Sequence, residues 1–229
     1  MGDDTTDREV VELLDGIMTT RAMRRFTDEP VSDADIATVL AAAQQGPSGG
    51  NIQPWHFVVV VDPAVRGRLG DLYLRAYDRY EAALLPTVGP HRSEADAASW
   101  ERTTAASRHL AEHFGEVPVI VAVCMPDIDL TLTDDDGPLD IGGLTASVFP
   151  AVQNMMLAAR SLGLGSALTT VFRILHDEVR ELLGIPAHQQ VVALVPIGHP
   201  EGRFGVARRR PVETVTYWDT WGARRPRAT

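Results

Sequence analysis

The sequence predicts a single domain that combines α-helices with β-strands. Three runs rich in β-branched residues, 55–61, 117–125 and 191–197, are typical of buried strands, because such side chains favour extended backbone. Between them, apolar residues recur three and four positions apart, which is the spacing of an amphipathic helix. The 229 residues contain no internal repeat, low-complexity tract or linker, so we expect one core.

The ends of the predicted helices carry recognisable signals. We expect Ser32 or Asp33 to cap one helix and Asp140 another, because side-chain oxygens at a helix start accept backbone N–H groups. Gly163 and Gly165 are expected to end a helix, since they precede a strand and lack the third glycine of a dinucleotide-binding loop. The predicted elements are helices over residues 8–18, 33–45, 64–85, 99–114, 141–162 and 175–183, a short strand at 166–170, an irregular segment at 86–98 and an acidic loop at 127–140.

The composition argues against several classes of protein. The net charge of -10 argues against nucleic-acid binding, which depends on basic contacts to phosphate. No apolar run approaches the roughly 20 residues of a membrane helix, and the acidic start of the chain lacks the pattern of an export signal. We therefore expect a cytoplasmic protein without a membrane partner. The lone Cys124 lies in a predicted strand, which excludes a disulfide framework and favours a place in the core.

The chain contains no lysine, so all 21 basic residues are arginine. This excludes the Schiff-base lysine of the usual pyridoxal-phosphate enzymes and the phosphate-binding lysine of a Walker loop. Any phosphate bound by this chain must therefore be contacted by guanidinium groups and backbone amides.

Two arginine clusters lie near opposite ends of the sequence. Arg21 and Arg24, between two predicted helices, could converge on one phosphate; a basic surface turn is the alternative. The second cluster, Arg208 to Arg210, lies in a tail that must pack somewhere. Arginines concentrated at both ends of an otherwise acidic chain favour a shared anionic ligand.

The loop at residues 46–56 has a composition that suits a flat heterocycle. Asn51 and Gln53 each offer a donor and an acceptor, which matches a ring edge with alternating C=O and N–H groups. The glycines and prolines of this loop allow the backbone to pass close to such a ring. The alternative is an ordinary loop that enters a strand.

No pairing of nucleophile and base is visible in the sequence. The seven histidines are scattered, no metal-ligand spacing joins them to a carboxylate, and no Gly-x-Ser-x-Gly motif occurs. The aspartates of the acidic loop lack the spacing and the closing glutamate of an EF-hand. We therefore predict no metal site and no catalytic side chain, which leaves the chemistry to a bound cofactor.

Taken in order, the motifs resemble those of the FMN-dependent nitroreductase family. They are TRAMRRF at 20–26 with PV at 30–31, GPSGGNIQPWHF at 46–57, LGLGS at 162–166, LGIP at 183–186, PIGHP at 196–200, RRPVE at 209–213 and YWDTW at 217–221. Only about residues 65–115 and 126–140 carry no such motif. The resemblance therefore extends over nearly the whole chain.

The resemblance implies an α+β fold with a mixed central β-sheet surrounded by helices, in one domain over residues 1–229. It also implies an intertwined homodimer with two FMN sites at the subunit interface. The C-terminal arm, about residues 202–229, would then pack on the partner subunit.

Several site residues are implied by the match of individual motifs. Arg21, Arg24 and Arg209 would bind the FMN phosphate. The ribityl chain and the pyrimidine edge of the flavin would be contacted by Pro47, Ser48, Asn51 and Gln53, and backbone groups or a hydroxyl near the flavin N5 would come from Leu168, Thr169 and Thr170. Ala22 stands where the family often has a serine, so that hydroxyl contact to the cofactor is missing.

The implied activity is an FMN-dependent oxidoreductase that takes hydride from NADH or NADPH and reduces a nitroaromatic, a quinone or a similar flat acceptor by a ping-pong mechanism. Flavin fragmentation, reductive dehalogenation and flavin sequestration without turnover are alternatives on the same fold. The aromatic side chains in the segment without motifs are candidates for the wall of the acceptor pocket, with ordinary helix packing as the alternative; they are Tyr73, Tyr77, Tyr80 and Trp100.

Overall fold

The computed structural model describes residues 11–90, 93–128, 132–140 and 142–225 and shows a four-stranded sheet between two groups of helices. The strands are β1 (His56–Val60), β2 (Val119–Pro126), β3 (Leu132–Asp134), β4 (Gly137–Leu139), β5 (Gly165–Ser166) and β6 (Gln189–Gly198). The helices are α1 (Leu13–Thr19), α2 (Asp33–Ala43), α3 (Pro63–Leu84), α4 (Glu94–Glu112), α5 (Thr145–Ser161) and α6 (His176–Leu182). The four-stranded sheet has the order β1-β2-β6-β5, with antiparallel neighbours, whereas β3 and β4 pair only with each other.

The core is divided by the sheet into two apolar layers. Along β2 the side chains alternate between them: Ile120 and Ala122 belong to the layer of α3, α4 and α6, whereas Val119 and Val121 belong to the layer of α2 and α5. This alternation follows from the two-residue repeat of a strand. A strand buried on both faces reads as a continuous apolar run, as residues 117–125 do.

The segment that carries the first arginines is attached to the end of the sheet. Ala22 bridges Ser166 in parallel, and Phe26 bridges Pro200 in the antiparallel sense. The Met23 N–H donates to the Ser166 carbonyl at 2.9 Å. The parallel bridge beside the antiparallel strands confirms the predicted α+β class with a mixed sheet.

Several predicted elements differ from the structure. Helix α4 begins at Glu94 within the segment predicted to be irregular, because the Ser93 hydroxyl accepts the Asp96 N–H at 3.2 Å and caps it. The acidic loop contains the hairpin β3–β4, whose two-residue turn is Asp135–Asp136 and whose second strand starts at Gly137. The strand predicted at 166–170 is shorter and is continued only by an isolated bridge at Thr169.

One predicted helix cap is wrong, and parts of two predicted helices lie outside the described residues. Asp140 does not cap α5: its carboxylate accepts the Gly142 N–H at 3.0 Å, and the helix begins after Leu144. In contrast, Ser32 caps α2 as predicted. Residues 8–10 of the first predicted helix and residue 141 of the fifth lie outside the described residues.

The C-terminal arm is largely exposed. Over residues 211–225 only Thr216 and Tyr217 are half-buried, and the Trp221 side chain is 88% exposed. The arm has local order, since Tyr217 and Trp221 lie 4.5 Å apart between ring centroids and Arg224 covers the Tyr217 ring. No helix within the described ranges is both long and apolar enough to cross a bilayer.

Cys124 provides a test of this core. Its thiol is 2% exposed on β2, and burial raises its pKa to about 11, so the reactive thiolate is scarce at neutral pH. We expect a thiol reagent to modify the native protein at least about 100-fold more slowly than the urea-unfolded chain, which stopped-flow absorbance would measure. Rapid modification of the folded protein would contradict this placement of β2.

Candidate functional site: an arginine cavity beside an aromatic cavity

Arginines from three parts of the chain line one open cavity of about 570 Å³. They are Arg21, Arg24 and Arg25 from the segment at the sheet end, Arg102 from α4, and Arg208 and Arg209 from the arm. No acidic side chain is among the described residues that line it. Six guanidinium groups with no carboxylate among the described lining residues, in a chain of net charge -10, have the charge that suits an anionic ligand.

Close packing fixes the backbone that carries the first arginines. A Cβ atom at Gly165 would lie 2.9 Å from the Met23 Cβ and 3.0 Å from the Pro200 Cβ, so only glycine fits there. The Arg21 guanidinium donates to the Arg203 carbonyl at 3.0 Å, which joins this segment to the start of the arm. The segment and the arm therefore present their arginines from a common framework.

A second cavity, of about 270 Å³, adjoins the first and has aromatic walls. Arg24 and Thr103 line both cavities. The four aromatic residues singled out in the sequence all line the second one; they are Tyr73, Tyr77, Tyr80 and Trp100. We call the first cavity the arginine cavity and the second the tyrosine cavity. The two lie side by side, and Arg24 is at their junction.

The floor of the tyrosine cavity contains two buried hydroxyl groups. Tyr73 and Thr169 are 3% and 9% exposed, and their hydroxyl oxygens lie 2.8 Å apart. The Tyr73 ring stacks on Phe114 with centroids 4.0 Å apart, which holds the phenol in place. Burial raises the pKa of Tyr73 to about 12, so its phenol is neutral at physiological pH.

The structure narrows what residues 168–170 can offer a ligand. The Thr169 N–H donates to the Leu194 carbonyl at 3.0 Å, and the Thr169 carbonyl accepts the Leu194 N–H at 3.0 Å. The Thr169 N–H is therefore already paired with β6, whereas its carbonyl keeps one lone pair, and the expected contact of residues 168–170 with the flavin stays a prediction. Thr169 lines the tyrosine cavity together with the exposed Leu168 and Thr170.

Arg108 fastens α4 to α3 above this floor. Its guanidinium binds Asp78 at 2.7 Å, donates to Glu81, and lies over the Tyr77 ring at 5.0 Å from the centroid. These two carboxylates raise the pKa of Arg108, so the charge is permanent. Because α4 supplies Arg102 to one cavity and Trp100 to the other, this ion-pair cluster positions both walls.

The loop at 47–53 lies apart from both cavities. None of Pro47, Ser48, Asn51 and Gln53 is among the described residues that line them. Asn51 and Gln53 are exposed and have φ of 55° and 46°, the left-handed region that non-glycine residues rarely adopt. The Gln53 amide donates to the Asn51 Oδ1 at 3.1 Å, and the Ser48 hydroxyl accepts the Gln53 N–H at 3.1 Å. The loop is thus held in one strained conformation with both amides at the surface.

The predicted site residues therefore fall into three groups. Arg21, Ala22, Arg24 and Arg209 line the arginine cavity, Leu168, Thr169 and Thr170 line the tyrosine cavity, and the residues of the 47–53 loop are separate. Sequence reasoning did not find Arg102, whose placement depends on the capped start of α4. No group of three or more potential metal ligands is present in the described part of the chain.

The fold and the two cavities define an α+β protein with an arginine-lined cavity next to an aromatic one. The Nitroreductase family matches residues 17–199, and the chain belongs to this family. The chain is 30% identical over 208 residues to an oxygen-insensitive NADPH nitroreductase from Salmonella typhimurium, with 90% of this chain and 72% of that protein covered. It is 32% identical over 207 residues to a 5,6-dimethylbenzimidazole synthase from Rhodospirillum rubrum, with coverage of 85% and 89%.

Solved structures show the same fold. An oxidised iodotyrosine deiodinase bound to FMN and 3-iodo-L-tyrosine superposes with a TM-score of 0.69 at 23% identity, and the match covers 92% of this chain and 100% of that one.

Proposed function

We propose that this protein is an FMN-dependent oxidoreductase that transfers electrons from NADH or NADPH to a flat organic acceptor in two half-reactions at one site. The observation that carries the proposal is the junction at Arg24, where a cavity of six arginines meets a cavity with aromatic walls. A ligand with a phosphate at one end and a flat ring at the other has the complementary shape and charge. The names of relatives, among them the Salmonella typhimurium nitroreductase, support this choice.

The residues present fit FMN. The phosphate dianion would be held by Arg21, Arg24 and Arg209. Because the chain has no lysine, the positive charge around the phosphate would come from several guanidinium groups. The tyrosine cavity would enclose the reacting edge of the flavin and the stacked acceptor. When bound, FMN would supply the redox chemistry by accepting hydride and passing two electrons on. The protein would orient the reactants between aromatic walls and exclude water from them.

The 47–53 loop supports a homodimer in which each site is completed by the partner subunit. The loop carries the amide groups suited to a flavin edge but lies apart from the cavities of its own protomer. Apolar side chains are exposed on α1 and on the arm; they include Leu13 and Leu14 at 71% and 74% and Val212 at 69%. A second copy would cover these surfaces and bring its loop to the flavin. We expect a mass in solution of twice 24.9 kDa by light scattering.

The proposal is tested by anaerobic reduction of the purified, FMN-loaded protein. We expect a yellow protein whose visible absorption is bleached by NADH or NADPH and restored by a nitroaromatic or a quinone. If dithionite bleaches the protein but NADH and NADPH do not, flavin sequestration is favoured. A chain that takes up no FMN would contradict every flavin-based function.

A second candidate, flavin fragmentation, is favoured by the 32% identity to the dimethylbenzimidazole synthase. Its test is to incubate the protein with reduced FMN in air and to analyse the products by mass spectrometry. Formation of 5,6-dimethylbenzimidazole, with slow acceptor reduction, would replace the reductase proposal.

Arg21→Ala and Arg209→Ala are each expected to weaken FMN retention by about 10-fold, because each removes one charge-assisted phosphate contact from an exposed side chain. The measurement is the flavin-to-protein absorbance ratio after extensive dialysis. Both variants should remain folded, since neither guanidinium forms an ion pair among the described residues and Arg21 loses only one exposed hydrogen bond, to the Arg203 carbonyl. Full occupancy in either variant would remove that residue from the phosphate site.

A further inference from the structure

The arginine cavity carries more positive charge than the phosphate of one FMN would balance. A guanidinium group stays protonated at physiological pH, so each of the six arginines contributes a full charge. A phosphate monoester at neutral pH carries only about 1.5 to 2 negative charges, which leaves about four positive charges unbalanced. The cavity of about 570 Å³ has no carboxylate among its described lining residues. Such a surplus suits a second anionic group.

Arg102 is engaged neither by the proposed phosphate site nor by the protein. The phosphate of FMN already uses three of the six arginines, and the Arg25 guanidinium donates to the His109 Nδ1 at 3.1 Å. Arg208 and Arg102 remain. Within the described part of the chain, the exposed Arg102 guanidinium makes no hydrogen bond or ion pair. It can therefore turn toward a ligand without breaking a contact.

Helix α4, which supplies Arg102, forms a wall that both cavities share. The residues that line the arginine cavity are Ser99, Arg102, Thr103 and Ala106, and those that line the tyrosine cavity are Trp100, Thr103, Thr104 and Ser107. Each set recurs three and four positions apart, which is the spacing of one helix face. Both faces are fixed in place, because Arg108 pairs with Asp78 and Glu81 and thereby holds α4 on α3.

Arg102 lies on the side of α4 that is remote from the tyrosine cavity, which it does not line. An α-helix turns 100° per residue, so Arg102 lies about 150° around the helix from the centre of the face that lines this cavity. A helix with its side chains is about 10 Å across. A carboxylate attached directly to a ring in the tyrosine cavity would therefore fall short of Arg102. The phosphates of a nicotinamide dinucleotide, which a ribose separates from the ring, could reach it.

We propose that Arg102 belongs to a subsite that binds a phosphate group of the nicotinamide donor and thereby favours dinucleotide donors over uncharged ones. The inference rests on the proposed function. The nicotinamide ring would lie in the tyrosine cavity, and the phosphate would lie in the arginine cavity beside that of FMN. This phosphate has two sources in the donor: the diphosphate bridge that NADH and NADPH share, and the 2′-phosphate that only NADPH carries.

The experiment compares the FMN-loaded wild type with Arg102→Met, Arg102→Lys and Arg68→Met. Arg102→Met removes the charge and keeps a long side chain, Arg102→Lys keeps the charge, and Arg68→Met removes one charge outside both cavities. The measurement is the second-order rate constant for anaerobic bleaching of the flavin, followed by stopped-flow absorbance. The donors are NADPH, NADH and 1-benzyl-1,4-dihydronicotinamide, which has no phosphate. Because no acceptor is present, the rate reports on the donor alone.

Arg102→Met is expected to slow reduction by the phosphate-bearing donors by about threefold to tenfold, the effect of one exposed charge-assisted contact. Reduction by the benzyl compound should stay within about twofold of the wild type, as should every rate of Arg68→Met. Arg102→Lys should retain most of the wild-type rate. An equal loss for NADH and NADPH would assign the contact to the diphosphate bridge, and a loss for NADPH alone would assign it to the 2′-phosphate.

The inference is overturned if Arg102→Met slows all three donors equally or slows none of them, or if Arg68→Met loses as much as Arg102→Met. An equal slowing with weaker FMN retention would place Arg102 in the phosphate site of FMN instead. In each of these cases, bleaching of the wild type by a nicotinamide would still support the proposed function. A wild-type chain that takes up no FMN, or whose FMN neither NADH nor NADPH bleaches, would contradict the proposed function and this inference with it.

Discussion

Replacement of Arg24 by alanine is expected to lower the affinity for FMN by about 10- to 100-fold, the largest loss for any single arginine of the cavity. Arg24 is half-buried, whereas the other five are exposed, and it alone among them lines both cavities. A partly desolvated guanidinium forms a stronger contact with phosphate than an exposed one, because water screens it less. Fluorescence titration of the flavin-free protein with FMN would measure the loss.

Arg68→Ala is the matched control for Arg24→Ala. Arg68 is exposed on α3 and lines neither cavity, so the same change of charge should leave FMN binding within about twofold of the wild type. If both variants lose affinity equally, net charge rather than a defined phosphate contact governs binding. An unaltered Kd in Arg24→Ala would place the phosphate elsewhere.

Gly70→Ala is expected to destabilise the fold by about 2–3 kcal/mol. A Cβ atom at Gly70 on α3 would lie 2.7 Å from the Gly115 nitrogen and 2.9 Å from its Cα, where only backbone atoms could move aside. This contact is where α3 packs against the turn that leads into β2. Urea unfolding followed by tryptophan fluorescence would measure the change in the free energy of unfolding.

Gly67 offers the control within the same helix, one turn earlier. A Cβ atom there would have no heavy atom within 4 Å, so Gly67→Ala should stabilise α3 by about 0.5–1 kcal/mol. Opposite signs for the two substitutions would confirm that close packing, and not helix propensity, controls position 70. Two stabilising substitutions would show that the turn can move away from α3.

The elements that the sequence predicted correctly are those with a strong local signal. The apolar run at 117–125 identified β2, and Ser32 identified the start of α2. The start of α4 was missed although Ser93 and Asp96 carry a capping signal, because the polar residues around them suggested an irregular segment. The β3–β4 hairpin was missed for a related reason: its acidic composition concealed the turn at Asp135–Asp136.

The site was predictable only in part, since its residues meet through long-range contacts. Motif resemblance identified Arg21, Arg24 and Arg209, and the structure places all three in one cavity. It could not identify Arg102, because that position belongs to the segment without motifs and depends on which face α4 turns inward. Likewise, no local pattern indicates that the Thr169 backbone is already bound to β6.

The attachment of the arginine segment to the sheet end has a consequence for the order of events during synthesis. The hydrogen bonds that join this segment to the sheet end and to the arm have partners far along the chain: Met23 binds Ser166, Thr27 binds His199, and Arg21 binds Arg203. At translation rates of about 5–20 residues per second, the first arginines wait roughly 10 to 40 seconds for these partners to be made. Until residues 166–203 have been made, the first arginines lack these partners, so the cofactor cannot be held in the assembled arginine cavity before then.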